Sequence, residues 1–156
     1  MSKQHCTVEE WSGAPQMDSG APMPAIFLRE TQLFVAYMVS EPQSISGNEE
    51  YAVVRFDGVC QHTFGYPNDE ALGGHPLYSV GLKFYAFNEV LSSPYLSELG
   101  TRNAKRFPGT ASHYTNLKHW IVTFHDETLE VIGHSVAFLG VVPAGTAEEA
   151  IERYAV

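Results

Sequence analysis

The stretch that decides the fold class of this chain is KHWIVTFHDETLEVIG, residues 118–133. Apolar and polar residues alternate on both sides of the turn-forming run His125–Thr128, as expected for two antiparallel strands joined in a hairpin. In the predicted register Phe124 lies opposite Leu129 and Trp120 lies opposite Gly133. One face of this hairpin is therefore apolar, and its predicted core residues are Trp120, Val122, Phe124, Leu129 and Val131.

The other face of the predicted hairpin places His119 opposite His134, where two imidazoles can meet as metal ligands or as a stacked pair. A metal site needs a third ligand. Glu130 is four residues from His134 along the strand, about 13 Å away at the usual rise. We therefore interpret both histidines as partly exposed side chains and predict that the protein holds no metal and no other cofactor.

Further strands are indicated outside the hairpin, with period-two patterns over 26–29, 32–39, 51–65 and 77–90. Asp57-Gly58 is a hairpin signal in isolation, but folding back there mixes apolar and polar faces. We therefore predict one continuous strand over 51–65 with a bulge at Gly58. The segment Ser40–Glu50 is polar and is predicted to be a loop.

Two short helices are predicted from their capping residues. Ser93 precedes Pro94, which suits the first helical position, and this helix extends to about Ala104. Thr146 and Glu149 form a capping-box pattern before a second helix over Ala147–Tyr154. Strands outnumber helices by about six to two, and short connections favour antiparallel pairing. The sequence thus predicts a mainly β fold, an antiparallel sheet, sandwich or small barrel.

Domain organisation follows from the distribution of glycine and proline. Residues 1–24 are rich in both and are predicted to be a flexible lead-in, whereas residues 25–156 are predicted to form a single β-rich domain. Residues 1–11 lack an apolar run and no segment approaches the roughly 20 apolar residues that span a bilayer, so we expect no signal peptide and a cytoplasmic location. Cys6 and Cys60 show no disulfide or metal spacing.

The charge balance bears on possible partners. Eighteen acidic residues against nine basic ones give a formal net charge of −9. Nucleic acids and anionic membranes are bound largely through lysine and arginine, so we expect neither as a partner. An excess of acid suits a basic partner or serves solubility alone.

Two polar clusters are candidate sites. The first, His125, Asp126 and Glu127, lies at the hairpin turn with Glu130 diagonal to it. The second comprises Asn68, Asp69, Glu70 and His75. A histidine beside carboxylates can transfer protons near neutral pH. The alternative interpretation is that the first cluster is a solvated turn and the second a capped turn, with no function beyond structure. We assign His75, His125 and Asp126 as candidate catalytic residues. The candidate ligand-binding residues are Asn68, Asp69, Glu70, Glu127 and Glu130.

The two clusters are predicted to share one end of the sheet and to border one pocket. The predicted strand after His75 begins where the strand before His125 ends, and antiparallel neighbours bring such ends together. Sites are commonly carried on loops held by a rigid scaffold.

A resemblance to known proteins rests on two blocks, residues 64–77 (FGYPNDEALGGHPL) and residues 118–130 (KHWIVTFHDETLE). They resemble a family of small uncharacterised bacterial proteins, and the similar stretch covers about residues 51–132. The resemblance implies a bacterial cytosolic protein and marks the two polar blocks as candidate sites, but it brings no established activity.

Two functions remain open from the sequence. The first is a binding domain for a protein or small-molecule partner, such as a protein that neutralises a basic toxin. The second is a small enzyme that uses histidine and carboxylate acid–base chemistry in a β-lined pocket. The nucleotide-loop, zinc-protease and serine-hydrolase motifs are absent from the sequence, which modestly favours binding. The oligomeric state is left open.

Overall fold

The computed structural model describes residues 5–41 and 49–155 of the chain. Within those ranges nine strands form two antiparallel sheets that are not closed into a barrel. The predicted mainly β, antiparallel fold is therefore confirmed.

The first sheet has five strands. Its order in space is β1 (Thr7–Glu10), β6 (Phe87–Leu91), β7 (Lys118–Thr123), β8 (Thr128–Gly133) and β5 (Gln61–Gly65). The second sheet has four strands, in the order β2 (Ala25–Arg29), β3 (Gln32–Met38), β4 (Glu50–Asp57) and β9 (Ser135–Pro143).

Both predicted helices are present, and their caps are those expected from the sequence. Helix α1 (Pro94–Arg106) begins after Ser93, whose hydroxyl accepts a hydrogen bond from the Leu96 amide. Helix α2 (Ala147–Glu152) begins after Thr146, whose hydroxyl accepts from the Glu149 amide. Shorter 3₁₀ segments are Asp69–Gly74, Tyr78–Val80 and Ala111–Tyr114. No helix of the described ranges is long and apolar enough to cross a membrane.

The main core lies between the sheets and includes the apolar face predicted for the hairpin. Trp120, Val122, Phe124, Leu129 and Val131 are each at most 1% exposed. A second apolar cluster joins α2 to the outer face of the four-stranded sheet. A third lies on the outer face of the five-stranded sheet and contains Val8, Leu72, Leu82, Val90 and Ile121.

The hairpin register differs from the predicted one by two residues. Trp120 pairs with Val131 and Val122 pairs with Leu129, because the turn is closed by the Phe124 amide donating to the Glu127 carbonyl. A shift of two residues leaves every side chain on its predicted face, since the side-chain period of a strand is two. His119 lies opposite Ile132 and not opposite His134, and it is buried where the sequence predicts a partly exposed side chain.

Residues 51–65 do not form one continuous strand in one sheet. Strand β4 belongs to the four-stranded sheet and β5 to the five-stranded sheet, and the chain turns between them at Gly58, where φ is +65°. The chain also passes from the five-stranded to the four-stranded sheet between β8 and β9, next to the turn at Gly58. There the His134 amide donates a hydrogen bond to the Asp57 carbonyl. Because β4 pairs with β9 and β5 pairs with β8, the four strands form one bent two-stranded ribbon.

The predicted strand over 77–90 is also corrected. Only Phe87–Leu91 is a strand, and Tyr78–Val80 is 3₁₀ helix ending at Gly81, whose φ is +117°. Leu82 is buried in the third cluster, whereas Tyr78 and Phe84 stay partly exposed and pack edge-on against each other. The alternation of apolar residues here reflects packing along an irregular segment.

Part of the segment predicted to be a flexible lead-in pairs with the sheets in the described range. Thr7–Glu10 forms β1 and pairs with β6, and buried Met17 bridges to Val39. The Pro15 carbonyl accepts a hydrogen bond from the Tyr37 hydroxyl. These contacts with residues distant in sequence hold the N-terminal segment in place, although its own sequence pattern predicts neither a helix nor a strand. Residues 1–4, and residues 42–48 of the predicted loop Ser40–Glu50, lie outside the described ranges.

Candidate functional site

A cavity of about 420 Å³ lies on the outer face of the five-stranded sheet. Strands β5, β7 and β8 form its floor, and the first residues of α1 and the segment after the first 3₁₀ helix form its sides. We call it the Glu130 cavity. It is lined by Gln61, His62, Thr63, His75, Pro76, Leu77, Pro94, Tyr95, His119, Glu130 and Ile132.

The register of the sheet brings the floor residues together. Thr63 pairs with Glu130, and Gln61 pairs with Ile132, which in turn pairs with His119. Directly paired residues share one face of a sheet, so side chains from three strands point into the same space.

A chain of two short hydrogen bonds runs beneath the cavity. His119 is 2% exposed, and its Nε2 lies 2.6 Å from Glu130 Oε1. On its other side His119 Nδ1 lies 2.7 Å from the hydroxyl oxygen of Ser93. Ser93 and His119 are buried, whereas the Glu130 side chain is 34% exposed. The chain therefore ends in a carboxylate that remains accessible.

The direction of these bonds follows from the cap of α1. The Ser93 hydroxyl oxygen already accepts the Leu96 amide, so its own proton needs an acceptor. His119 Nδ1 is that acceptor at 2.7 Å, which leaves the imidazole proton on Nε2, donating to Glu130. Neutral His119 thus satisfies all three groups, and it orients the carboxylate from behind.

The same hydrogen bond stabilises the ionised form of Glu130. It is the largest influence that lowers the pKa of this carboxyl below its ordinary value, while burial acts in the opposite direction. Near neutral pH Glu130 is consequently an ionised acceptor inside the cavity.

His75 lines the cavity from the end of the first 3₁₀ helix. Its Nδ1 accepts a hydrogen bond of 3.1 Å from the Leu77 amide, so its neutral form carries the proton on Nε2. Burial lowers the pKa of His75, and this effect exceeds the opposing attraction of Glu130. His75 is therefore a neutral hydrogen-bond donor near pH 7.

Tyr95, in the first turn of α1, completes the polar side of the cavity. The Gln61 amide donates to its hydroxyl, and its ring centroid lies 5.8 Å from that of His119. The helix start is thereby fixed to both β5 and β7.

The two predicted polar segments do meet, but beside the Glu130 cavity. The Asp69 amide donates to the His125 carbonyl at 2.9 Å, and the Thr128 hydroxyl donates to the Pro67 carbonyl at 2.7 Å. They meet because Gly65 pairs with Thr128, so the loop leaves β5 at the hairpin turn. Of the predicted site residues, His75 and Glu130 line the cavity.

At this contact the Tyr85 hydroxyl donates to Asp69 at 2.6 Å, which is the main cause of the lowered pKa of Asp69. His125 Nδ1 is 2.9 Å from the same carboxylate but is not aligned for a hydrogen bond. Asp126 is 78% exposed, with its oxygen 3.8 Å from His125 Nε2. This geometry suits a structural link between the turn and the loop.

The remaining predicted residues have separate surroundings. Asn68 caps the first 3₁₀ helix by accepting the Ala71 amide, and Glu70 is exposed. Glu127 has a buried Oε2 without a hydrogen-bond partner, and burial, with the nearby Asp126, raises its pKa. Asp126 and Glu127 border a different cavity, of about 600 Å³, at the start of α2.

Sequence reasoning missed the part of the site that depends on tertiary structure. The sequence identifies Ser93 only as a helix cap, and the predicted register places Glu130 too far from His119 for the two side chains to meet. In the observed register Glu130 lies opposite Ile121, diagonal to His119. The alternative register, shifted by two residues, keeps every side chain on the same face and places Glu130 diagonal to His119. Considering that register is how the sequence could have indicated this contact.

Among the described residues no group of three or more histidine, cysteine, aspartate or glutamate side chains has a metal-holding arrangement. The absence of a structural metal stays a prediction. Comparison of the chain with protein-family models, with curated proteins and with solved structures gave no match.

Proposed function

We propose that this protein binds a small organic molecule in the Glu130 cavity. The observation that carries the proposal is the accessible, ionised Glu130, fixed by the buried His119 and Ser93 on the floor of a cavity with largely apolar sides. Its volume of about 420 Å³ lies within the range of small-molecule sites.

The sides of the cavity support an organic ligand. Pro76, Leu77, Pro94 and Ile132 offer apolar surface beside the polar groups of the lining. Few well-placed polar groups among apolar walls are typical of sites that orient a small ligand. We favour this cavity over the one at Glu127 because its carboxylate is held by a buried donor.

A blocking substitution tests this proposal. Thr63 is exposed on β5 and lines the cavity, so Thr63→Trp fills the space without disturbing the core. The matched control is Ser135→Trp, which places the same side chain at an exposed position of β9. Single-ring aromatic fragments are tested for binding to the full chain by saturation-transfer NMR.

We expect binding to the wild type and to Ser135→Trp, and loss of binding in Thr63→Trp. Fragments that bind Thr63→Trp as well as the wild type occupy another place and refute the proposal. A fragment set from which nothing binds the wild type refutes it as well.

A second candidate function is proton transfer by Glu130, and the observation that favours it is the fixed orientation of this ionised carboxylate beside His119. An oriented carboxylate among apolar walls is suited to act as a general base. A nitrobenzisoxazole is a suitable probe, because its C–H proton passes to the carboxylate while its N–O bond breaks to give a coloured nitrile phenolate. We expect ring opening above the buffer rate and its loss in Glu130→Gln.

The same assay distinguishes a role of Glu130 from a role of His125 and Asp126, which the sequence predicts as catalytic residues. Rates unchanged in His125→Ala and Asp126→Asn, together with a loss in Glu130→Gln, assign the activity to the cavity. Loss in His125→Ala with full activity in Glu130→Gln assigns it to the hairpin turn and refutes the role of Glu130.

The proposal also includes a cellular location and the exclusion of nucleic acid as a partner. The cysteines Cys6 and Cys60 are both free, which supports a reducing, cytoplasmic location. The formal net charge of −9 supports the expectation that nucleic acid is not a partner.

A further inference from the structure

We infer that the ligand of the Glu130 cavity is a small organic cation, an amine whose ammonium group pairs with Glu130. This inference rests on the proposed binding function and names the chemical class of the ligand. It follows from the charge balance of the lining.

Glu130 is the one carboxylate of the cavity lining, and the lining contains no lysine or arginine within the described ranges. The nearest imidazole does not compensate its charge. The Ser93 hydroxyl donates to His119 Nδ1, so neutral His119 supplies a hydrogen bond to Glu130 but no positive charge. His75 accepts the Leu77 amide and is neutral for the same geometric reason.

With its histidines neutral, the cavity therefore presents one formal negative charge, and the carboxylate that carries it is partly shielded from water. A carboxylate in such a place is stabilised when an opposite charge completes its hydrogen bonds. A ligand ammonium offers N–H donors, and charge-assisted bonds of this kind are about twice as strong as neutral ones. An anionic ligand meets a like charge at the same point.

The rest of the lining suits the body of such an amine. Pro94, Leu77 and Ile132 offer apolar contacts, and the Tyr95 ring beside His119 adds a π surface that attracts cations. The acidic excess of the whole chain favours the approach of a cation over that of an anion.

Three probes of one shape but different charge test the inference: benzylamine, benzyl alcohol and benzoate. Binding to the full chain is measured by NMR chemical-shift titration at about pH 8, where histidines with an ordinary pKa of about 6.5 are uncharged. We expect benzylamine to bind at least about tenfold more tightly than benzyl alcohol, since one charge-assisted bond accounts for such a factor. Benzoate is expected not to bind.

Two variants locate the preference. Glu130→Gln keeps the shape of the side chain and an oxygen that accepts from His119, so it removes the charge with the least disturbance of the fold. In this variant the preference for benzylamine disappears. Glu152→Gln removes the same one negative charge from the chain at an exposed position of α2, outside the cavity, and the preference remains.

The outcomes distinguish the inference from the proposed function. Benzyl alcohol that binds as tightly as benzylamine leaves the binding site in place and overturns the inference. A benzylamine preference that persists in Glu130→Gln also overturns it, because the preference then comes from the overall charge. If none of the probes binds the wild type, the inference and the proposed function both fail.

Discussion

The corner at Gly58 provides the sharpest test of the fold. A β-carbon added at Gly58 lies 2.2 Å from His134 Cδ2 and 2.9 Å from His134 Cβ, and the residue keeps a φ of +65°. Gly58→Ala therefore meets two separate penalties, one from the backbone conformation and one from the neighbouring imidazole.

The two penalties can be estimated separately. An L-residue in the left-handed region costs about 1–2 kcal/mol relative to glycine. Moving the exposed His134 ring away from its preferred rotamer costs about 0.5–1.5 kcal/mol. Together they lower the free energy of unfolding of Gly58→Ala by about 1.5–3.5 kcal/mol. Each kcal/mol lowers Tm by roughly 2–4 °C in a chain of this size.

Urea denaturation followed by circular dichroism measures the loss, and a double-mutant cycle with His134→Ala divides it. In the His134→Ala background the cost of Gly58→Ala falls by the part that comes from the imidazole ring, about 0.5–1.5 kcal/mol, while the contact with the β-carbon of residue 134 remains. The matched control is Gly73→Ala, because its added β-carbon has nothing within 4 Å. A loss below about 0.5 kcal/mol in Gly58→Ala, the range of neutral surface changes, refutes the left-handed corner.

Four further predictions concern the core, two carboxyl groups and metal content. Phe124→Ala removes a fully buried ring and should cost about 3–5 kcal/mol in urea denaturation, so a loss under about 1 kcal/mol contradicts its place in the core. Glu127→Gln should raise stability by about 1 kcal/mol near pH 7 and give no gain near pH 4, because a raised folded pKa costs stability only as pH rises above the unfolded value. Because the pKa of Glu130 is lower in the folded than in the unfolded protein, its ionised form stabilises the fold above the unfolded pKa, and this stabilisation is lost as pH falls through the folded pKa. The free energy of unfolding should therefore fall less between about pH 6 and pH 3 in Glu130→Gln than in the wild type. An identical pH profile in the two proteins contradicts the hydrogen bond from His119. Elemental analysis of protein purified without chelator should find well under one equivalent of zinc, iron or manganese.

Local signals predicted the parts of the fold that depend on local chemistry. The caps at Ser93 and Thr146 and the buried face of the hairpin follow from side-chain type and from a period of two. The register does not follow, since a slip of two residues preserves every face. The corner at Gly58 was missed for a related reason, because the apolar alternation continues while the chain passes between sheets.

The candidate site was predictable only in part. The sequence predicts His75 as a catalytic residue and Glu130 as a ligand-binding residue, and both line the cavity. Their actual neighbours come from residues far apart in sequence, since α1 brings Tyr95 against Gln61 and Ser93 against His119. No spacing within the chain encodes these contacts, which depend on where α1 packs on the sheet.

The bent ribbon also constrains how the chain can fold. Asp57 pairs with Ser135, and Gln61 pairs with Ile132, so both halves of the ribbon join segments from distant parts of the sequence. The loop-closure entropy of that meeting opposes folding before either half gains contacts, and such topologies fold slowly. The floor of the Glu130 cavity contains β5 and β8 from this ribbon, so it cannot assemble until the C-terminal part of the chain has left the ribosome.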